Sequence, residues 1–169
     1  YSRAHFAAID RRLSQNGLFV AWLPLWQLSP WEVGVIAKTF LSVFPKADSW
    51  LGNARQQRPV LGLVGYKSRF FKTSESALGS RLLEVVKRSM RRTYGARREI
   101  SLMASGARRV LTSAQLARWA ANKPQNTLDH PIIEYSAPRT LTRYQLRNRS
   151  PARDNLQMIL SLQKATHDP

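Results

Sequence analysis

Apolar and polar positions alternate along the chain with periods that change several times, and each change marks an element. Phe6, Ala7, Ile9 and Leu13 fall near helical spacing, so the pattern predicts a helix over Arg3–Leu13 with Ser2 as its N-cap. Ser14-Gln15-Asn16-Gly17 then closes it, since Asn and Gly tolerate the left-handed backbone that ends a helix. Leu18-Phe19-Val20-Ala21-Trp22-Leu23 is almost wholly apolar and of strand length, as expected of a strand covered on both faces in a parallel sheet. Ser29-Pro30-Trp31-Glu32 combines an N-cap, a proline at the first helical position and a glutamate three residues after the serine, which is a capping box. The helix it opens should reach Phe44 and stop at Pro45, with Val33, Ile36, Ala37, Phe40, Leu41 and Phe44 on one face and Lys38 and Ser42 pointing away.

Ala47–Leu51 and Val60–Val64 read as two short strands of a hairpin, separated by the polar run Asn53 to Arg58. Thr73 or Ser74 starts a helix over Glu75–Arg92 with Leu78, Leu82, Val85, Val86 and Met90 on one side. A second capping box, Thr112-Ser113-Ala114-Gln115, opens a helix to about Ala121. A polar loop follows to Pro131, then a short strand over Ile132–Tyr135 and a last helix over Asn155–Gln163. These elements predict an α/β fold, its sheet parallel except for a terminal antiparallel hairpin at the edge, followed by C-terminal helices.

Composition narrows the picture. The chain has 169 residues, 43% of them hydrophobic, enough for one core. The longest apolar run, Gly17–Leu28, is broken by Pro24 and Gln27 and falls short of the roughly 18 residues of a membrane span. Cysteine is absent, which excludes disulfides and thiolate metal sites, and His5, His130 and His167 have no metal-ligand spacing. No Gly-x-Ser-x-Gly elbow supports serine hydrolysis. A start at Tyr1 without a signal pattern reads as the interior of a longer protein.

The 27 Lys and Arg against 10 Asp and Glu give a net charge of +17, concentrated in Lys87–Arg98 and Arg139–Arg153. Tyr94 and Tyr144 are too sparse for a base-stacking platform, and no nucleic-acid module is visible. A solvated face accounts for that charge better, and anionic lipid headgroups are the alternative for a protein fused to a membrane region.

Trp22, Trp26 and Gln27 lie at or just past the C-terminal end of the first apolar strand, where open α/β sheets bind ligands. They are candidates for a groove wall or for a packed aromatic loop. Asp129 is a candidate carboxylate for a cationic substrate, or the cap of the turn before Pro131.

Five stretches, taken in order, carry a resemblance: Tyr1-Ser2-Arg3-Ala4-His5-Phe6, Leu13-Ser14-Gln15-Asn16-Gly17-Leu18-Phe19-Val20, Trp22-Leu23-Pro24-Leu25-Trp26-Gln27-Leu28, Val43-Phe44-Pro45 and Leu61-Gly62-Leu63-Val64-Gly65. With the later Asn126-Thr127-Leu128-Asp129-His130-Pro131-Ile132-Ile133-Glu134-Tyr135-Ser136-Ala137-Pro138-Arg139, they resemble the C-terminal portion of the spermidine synthase (polyamine aminopropyltransferase) family, in its membrane-fused branch. The resemblance implies a methyltransferase-like Rossmann sheet. Residues 1–65 would be the C-terminal half of the catalytic domain and residues 66–169 a helical extension with its closing motif near 126–139.

It also implies a parent that moves an aminopropyl group from decarboxylated S-adenosylmethionine to a diamine. The glycine-rich loop for that co-substrate and the catalytic Asp would lie upstream of Tyr1, so this chain would hold neither and be inactive without the missing N-terminal half. Its location would be cytoplasmic, or beside a membrane through a fused upstream region. Where the family has a groove-lining Gln this chain has Ala21, and Leu128 replaces the first of two adjacent acids, leaving Asp129. Those replacements favour a non-catalytic or methyltransferase-like relative as the alternative. A basic RNA- or membrane-surface-binding protein is the alternative from another class.

Overall fold

The computed structural model describes residues 1–52, 58–67 and 108–165. In chain order the elements are α1 (Arg3–Arg12), β1 (Leu18–Pro24), α2 (Pro30–Leu41), β2 (Ala47–Gly52), β3 (Val60–Tyr66), β4 (Arg108–Leu111), α3 (Ser113–Ala120), α4 (Ile132–Leu146) and α5 (Pro151–Lys164). The helix expected over Glu75–Arg92 and the basic cluster Lys87–Arg98 lie outside the described residues.

Local signals set most helix starts. Ser2 caps α1 by accepting from the His5 N–H, and both capping boxes form, Ser29 with Glu32 and Thr112 with Gln115. At its other end α1 departs from expectation: Leu13 is extended and no left-handed residue closes the helix. The Leu13 N–H still bonds the carbonyls of Ile9 and Asp10, so that turn ends satisfied without glycine's freedom.

The sheet has the strand order β1-β3-β2-β4, and all of its pairings are antiparallel, so the sheet expected to be parallel except for an edge hairpin is not what the described strands form. The predicted β2–β3 hairpin is present, with Trp50 opposite Gly62 and Leu51 opposite Leu61. What the apolar run of β1 did not reveal is its neighbour. β3 folds back from β2 and inserts beside β1, so Trp22 faces Gly62 and Val20 faces Val64. Since β3 is antiparallel to both, β1 and β2 run in the same direction without touching.

A second correction concerns Ile132–Tyr135, which is the first turn of α4 and not a strand. Four apolar-rich residues do not distinguish the two periods. The folded pattern does, because Ile132, Ile133, Ser136, Ala137 and Thr140 are the more buried positions, the spacing of one helix face. β4, in a stretch read as helical, adds a strand outside β2. There the Ser49 hydroxyl accepts from the Leu111 N–H at 3.1 Å, beside a register shift between Ser49 and Trp50.

α2 is buried nearly all round and packs against α1, α3, α4, α5 and β3. Its Phe40 meets Phe6 edge-on at 5.1 Å and Phe44 at 4.9 Å, with Phe19 of β1 6.0 Å away. The same core takes in Val110, Leu111, Leu116, Ile133 and Ile159, so residues on both sides of position 65 share it. The opposite sheet face carries a smaller cluster of Trp50 and Val64, with Leu18, Val20 and Tyr66 against it.

Gly65 is where packing is least forgiving. A Cβ there would come within 2.5 Å of Phe44 Cγ and 2.8 Å of its Cβ. Gly65→Ala should therefore destabilise the chain by about 1–3 kcal/mol through overpacking. Gly62→Ala should cost less, since its nearest neighbour is the half-exposed Trp22 ring at 3.0 Å. Urea unfolding of the two variants checks the order; equal losses would contradict the assignment of Phe44 as the obstacle.

Candidate functional site

Because β1 and β2 are parallel, their C-terminal ends and the start of β3 meet at one end of the sheet. The turn that follows β1 is built there. The Gln27 N–H bonds the Pro24 carbonyl at 3.0 Å, and the Leu25 N–H reaches Pro59 O at 3.1 Å. From α5, the Asn155 amide donates to the carbonyls of Leu25 at 3.0 Å, Leu28 at 2.6 Å and Pro151 at 3.0 Å. One fully buried amide thus holds the turn against the start of α5.

This turn brings three of the sequence candidates to the same end. Trp22 lies on the sheet face away from α2, 39% exposed, and its carbonyl accepts the Tyr1 hydroxyl at 2.8 Å. Trp26 is half-buried, with the Arg58 guanidinium 6.0 Å from its ring centroid. Gln27 is exposed. Ala21 points the other way, into the core under α2, so it does not line an open groove.

Asp129 is exposed on the turn between α3 and α4. It is not that turn's cap, which is Thr127: its Oγ1 accepts from the His130 N–H at 3.0 Å, and its own N–H bonds His130 O. The threonine lies three residues before the donor, as in a helix N-cap, whereas the carboxylate of Asp129 makes no hydrogen bond or ion pair among the described residues. Leu128, next to it, is 71% exposed.

The loop carrying Asp129 is anchored by Asn126, which the sequence reading passed over. Its N–H bonds Thr39 Oγ1 at 2.7 Å, its Oδ1 accepts from the Ile133 N–H at 3.1 Å, and its carbonyl accepts from the Arg3 N–H at 2.9 Å. Arg3 is two residues from Tyr1, whose hydroxyl holds Trp22, so a short chain of bonds links the loop to β1. Asn155 was equally legible in principle: it shares a helical face with Ala152 and Ile159, and a polar residue at such a core position must have partners.

A polar cleft of about 210 Å³ opens beside the start of α2, lined by Ser29, Thr140, Arg143, Tyr144, Arg147 and Arg149. Asp154 organises one wall. It accepts the Tyr144 hydroxyl at 2.7 Å and two bonds from Arg149 at 2.9 and 3.0 Å, while the Arg149 guanidinium sits 5.9 Å from the Tyr144 ring. Burial, then the hydrogen bond to Asp154 and the charge of Asp154, push the Tyr144 phenol up to about 12. Below the cleft Glu32 is fully buried, one carboxylate oxygen accepting from the Ser29 N–H at 2.8 Å and hydroxyl at 3.0 Å. Its other oxygen has no partner among the described residues.

Among the described residues no three His, Cys, Asp or Glu side chains are grouped as a metal site, and no helix is long and apolar enough to cross a membrane. No protein-family model, curated protein or solved structure matches the chain.

Two outcomes follow for these residues. Asn155→Ala should destabilise the chain by about 1–3 kcal/mol, and Asn155→Asp by more, since a carboxylate would face three carbonyl oxygens. Denaturant unfolding followed by tryptophan emission measures both; a neutral Asn155→Asp would contradict the donor role. For Tyr144 the folded chain favours the protonated phenol. Its contribution to stability is complete below pH 10 and is lost as pH rises toward about 12, and Tyr144→Phe should abolish that dependence in absorbance-monitored titration.

Proposed function

We propose that the chain is the C-terminal, structural and groove-wall half of a spermidine-synthase-like aminopropyltransferase domain. Its parent transfers an aminopropyl group from decarboxylated S-adenosylmethionine to a diamine. The observation that carries this reading is the sheet order. Two parallel strands, β1 and β2, are joined through α2 on one face, with β3 antiparallel between them. A hairpin strand inserted between two strands of like direction would close a methyltransferase-like Rossmann sheet whose parallel pairs all lie upstream, since the described strands pair only antiparallel.

The outer edge of β1 supports the same reading. Gly17 O accepts from Lys67 N–H and Leu25 N–H donates to Pro59 O, so the alternation turns the polar groups of Phe19, Ala21 and Leu23 toward β3. Leu18, Val20 and Trp22 turn theirs outward. Among the described residues only the Trp22 carbonyl is taken there, by Tyr1. An upstream strand laid along this edge would extend the sheet and bring its co-substrate loop to the end that carries Trp22, Trp26 and Gln27.

In that assembly Trp22 and Trp26 offer aromatic faces to a cationic amine, Gln27 offers an amide, and Asp129 supplies a free carboxylate. A second reading, a non-catalytic or methyltransferase-like relative in the same fold, is favoured by the exposed Leu128 at the acid position.

Joined to its upstream sequence, the chain should release the thioether co-product from decarboxylated S-adenosylmethionine in the presence of a diamine; alone it should not. The Val20 and Trp22 amides should exchange with solvent at least about a hundredfold more slowly in the joined protein, a gain of order 3 kcal/mol in protection. Protection without turnover selects the second reading. Unchanged exchange at both amides sinks the shared fold.

A further inference from the structure

The cleft beside the start of α2 has the wrong sign for a polyamine, and its construction does not depend on the aminopropyltransferase reading. Thr140, Arg143, Tyr144 and Arg147 recur at the spacing of one helical face, so α4 presents them as a single stripe. α4 then ends in a left-handed turn. Asn148 takes φ 48°, the only positive φ outside glycine among the described residues. The Asn148 N–H bonds Gln145 O at 3.0 Å and the Arg149 N–H bonds Tyr144 O at 3.0 Å, a Schellman pattern. This reversal swings Arg149 back over the stripe, where Asp154 and the Tyr144 ring fix it.

The charges in the cleft are not balanced. Arg149 is neutralised by Asp154, and the buried Glu32, bonded only to the neutral Ser29, keeps its negative charge below the cleft, so three arginines face two carboxylates. Arg143 and Arg147 have no acidic partner among the described residues. Like charges one turn apart on a helix repel, and these two are held beside Ser29 at the start of α2. Guanidinium forks match the oxygens of a phosphate in pairs, and the Thr140 hydroxyl adds a donor. The cleft is smaller than the usual pocket for a whole drug-sized ligand and suits a single anionic group.

We propose that the cleft formed by Arg143, Arg147, Arg149, Thr140 and the start of α2 binds a phosphate monoester group. The group belongs either to a free phosphorylated small molecule or to a lipid headgroup. Arg143 and Arg147 bind its oxygens, and Asp154 positions Arg149 and Tyr144 as the wall.

The test is calorimetric titration of the 169-residue chain with inorganic phosphate at low ionic strength. It is repeated with Arg143→Gln/Arg147→Gln and, as a charge-matched control, with Arg11→Gln/Arg12→Gln on the exposed end of α1, each variant first shown to keep its melting transition. Saturable one-to-one binding should weaken at least about tenfold in the cleft pair and hold in the α1 pair. Phosphatidylcholine vesicles with and without phosphatidic acid then separate the sources. Retention that the cleft pair abolishes identifies a headgroup; phosphate binding without retention identifies a free ester. The proposal fails if phosphate does not saturate, or if both pairs weaken it equally. It fails also if the chain binds RNA with steep salt dependence while ignoring phosphate.

Discussion

Everything in this fold is arranged around a strand that must hydrogen-bond on both sides and be covered on both faces. Val60–Tyr66 meets those demands with Leu-Gly-Leu-Val-Gly, apolar throughout and without bulk at the two places where its neighbours close in. Gly62 lies under Trp22 and Gly65 under Phe44. With β3 so placed, β1 and β2 are forced parallel, their C-terminal ends coincide, and the turn with Trp26 and Gln27 must form at that end. The outward groups of β1 are the other consequence, since β3 satisfies only one edge of it.

The second organising feature is a set of buried polar anchors around α2. Glu32 returns to Ser29 at the helix start, Thr39 receives Asn126, and Asn155 grips the turn that leads into α2. The last two join segments far apart in sequence, and among the described residues one atom of each anchor is without a partner: Glu32 Oε1, Asn126 Nδ2 and Asn155 Oδ1. Apolar burial alone would let α4 and α5 slide over α2; directional bonds to buried carbonyls and hydroxyls fix where they sit. The loop of Asp129 and the arginine cleft are therefore positioned by the same helix that packs on the sheet.

Elements whose signals are local were legible in the sequence. The capping boxes at Ser29 and Thr112 and the serine at position 2 act within four residues, and the helices start where those signals say. The β2–β3 hairpin was legible for the same reason. Pairings across distance were not. The run Leu18–Leu23 announces a strand covered on both faces, yet only Ala21 and Leu23 are buried and Trp22 is exposed, and the run carries no record of which strand lies beside it; Arg108–Leu111 is half charged and too short to betray an edge strand. Ile132–Tyr135 failed on length, because its helical face emerges only over nine residues, from Ile132 to Thr140. At the candidate site, the end of β1 was readable from position alone. Thr127 as the turn cap and Asn126 as an anchor depend on contacts that no spacing rule encodes, whereas the helical spacing of Asn155 with Ala152 and Ile159 marked it as a buried polar position.

The architecture depends on β3 lying antiparallel between β1 and β2, and the proton–proton contacts of an antiparallel ladder report that directly. Close Hα pairs arise where facing residues do not hydrogen-bond each other. On the β1 side these are Val20 with Val64 and Trp22 with Gly62; on the β2 side they are Ser49 with Leu63 and Leu51 with Leu61. A nuclear Overhauser spectrum of the labelled chain should show both sets together. Cross-peaks linking β1 directly to β2, or a β3 paired on one side only, would contradict the fold and the functional reading built on it.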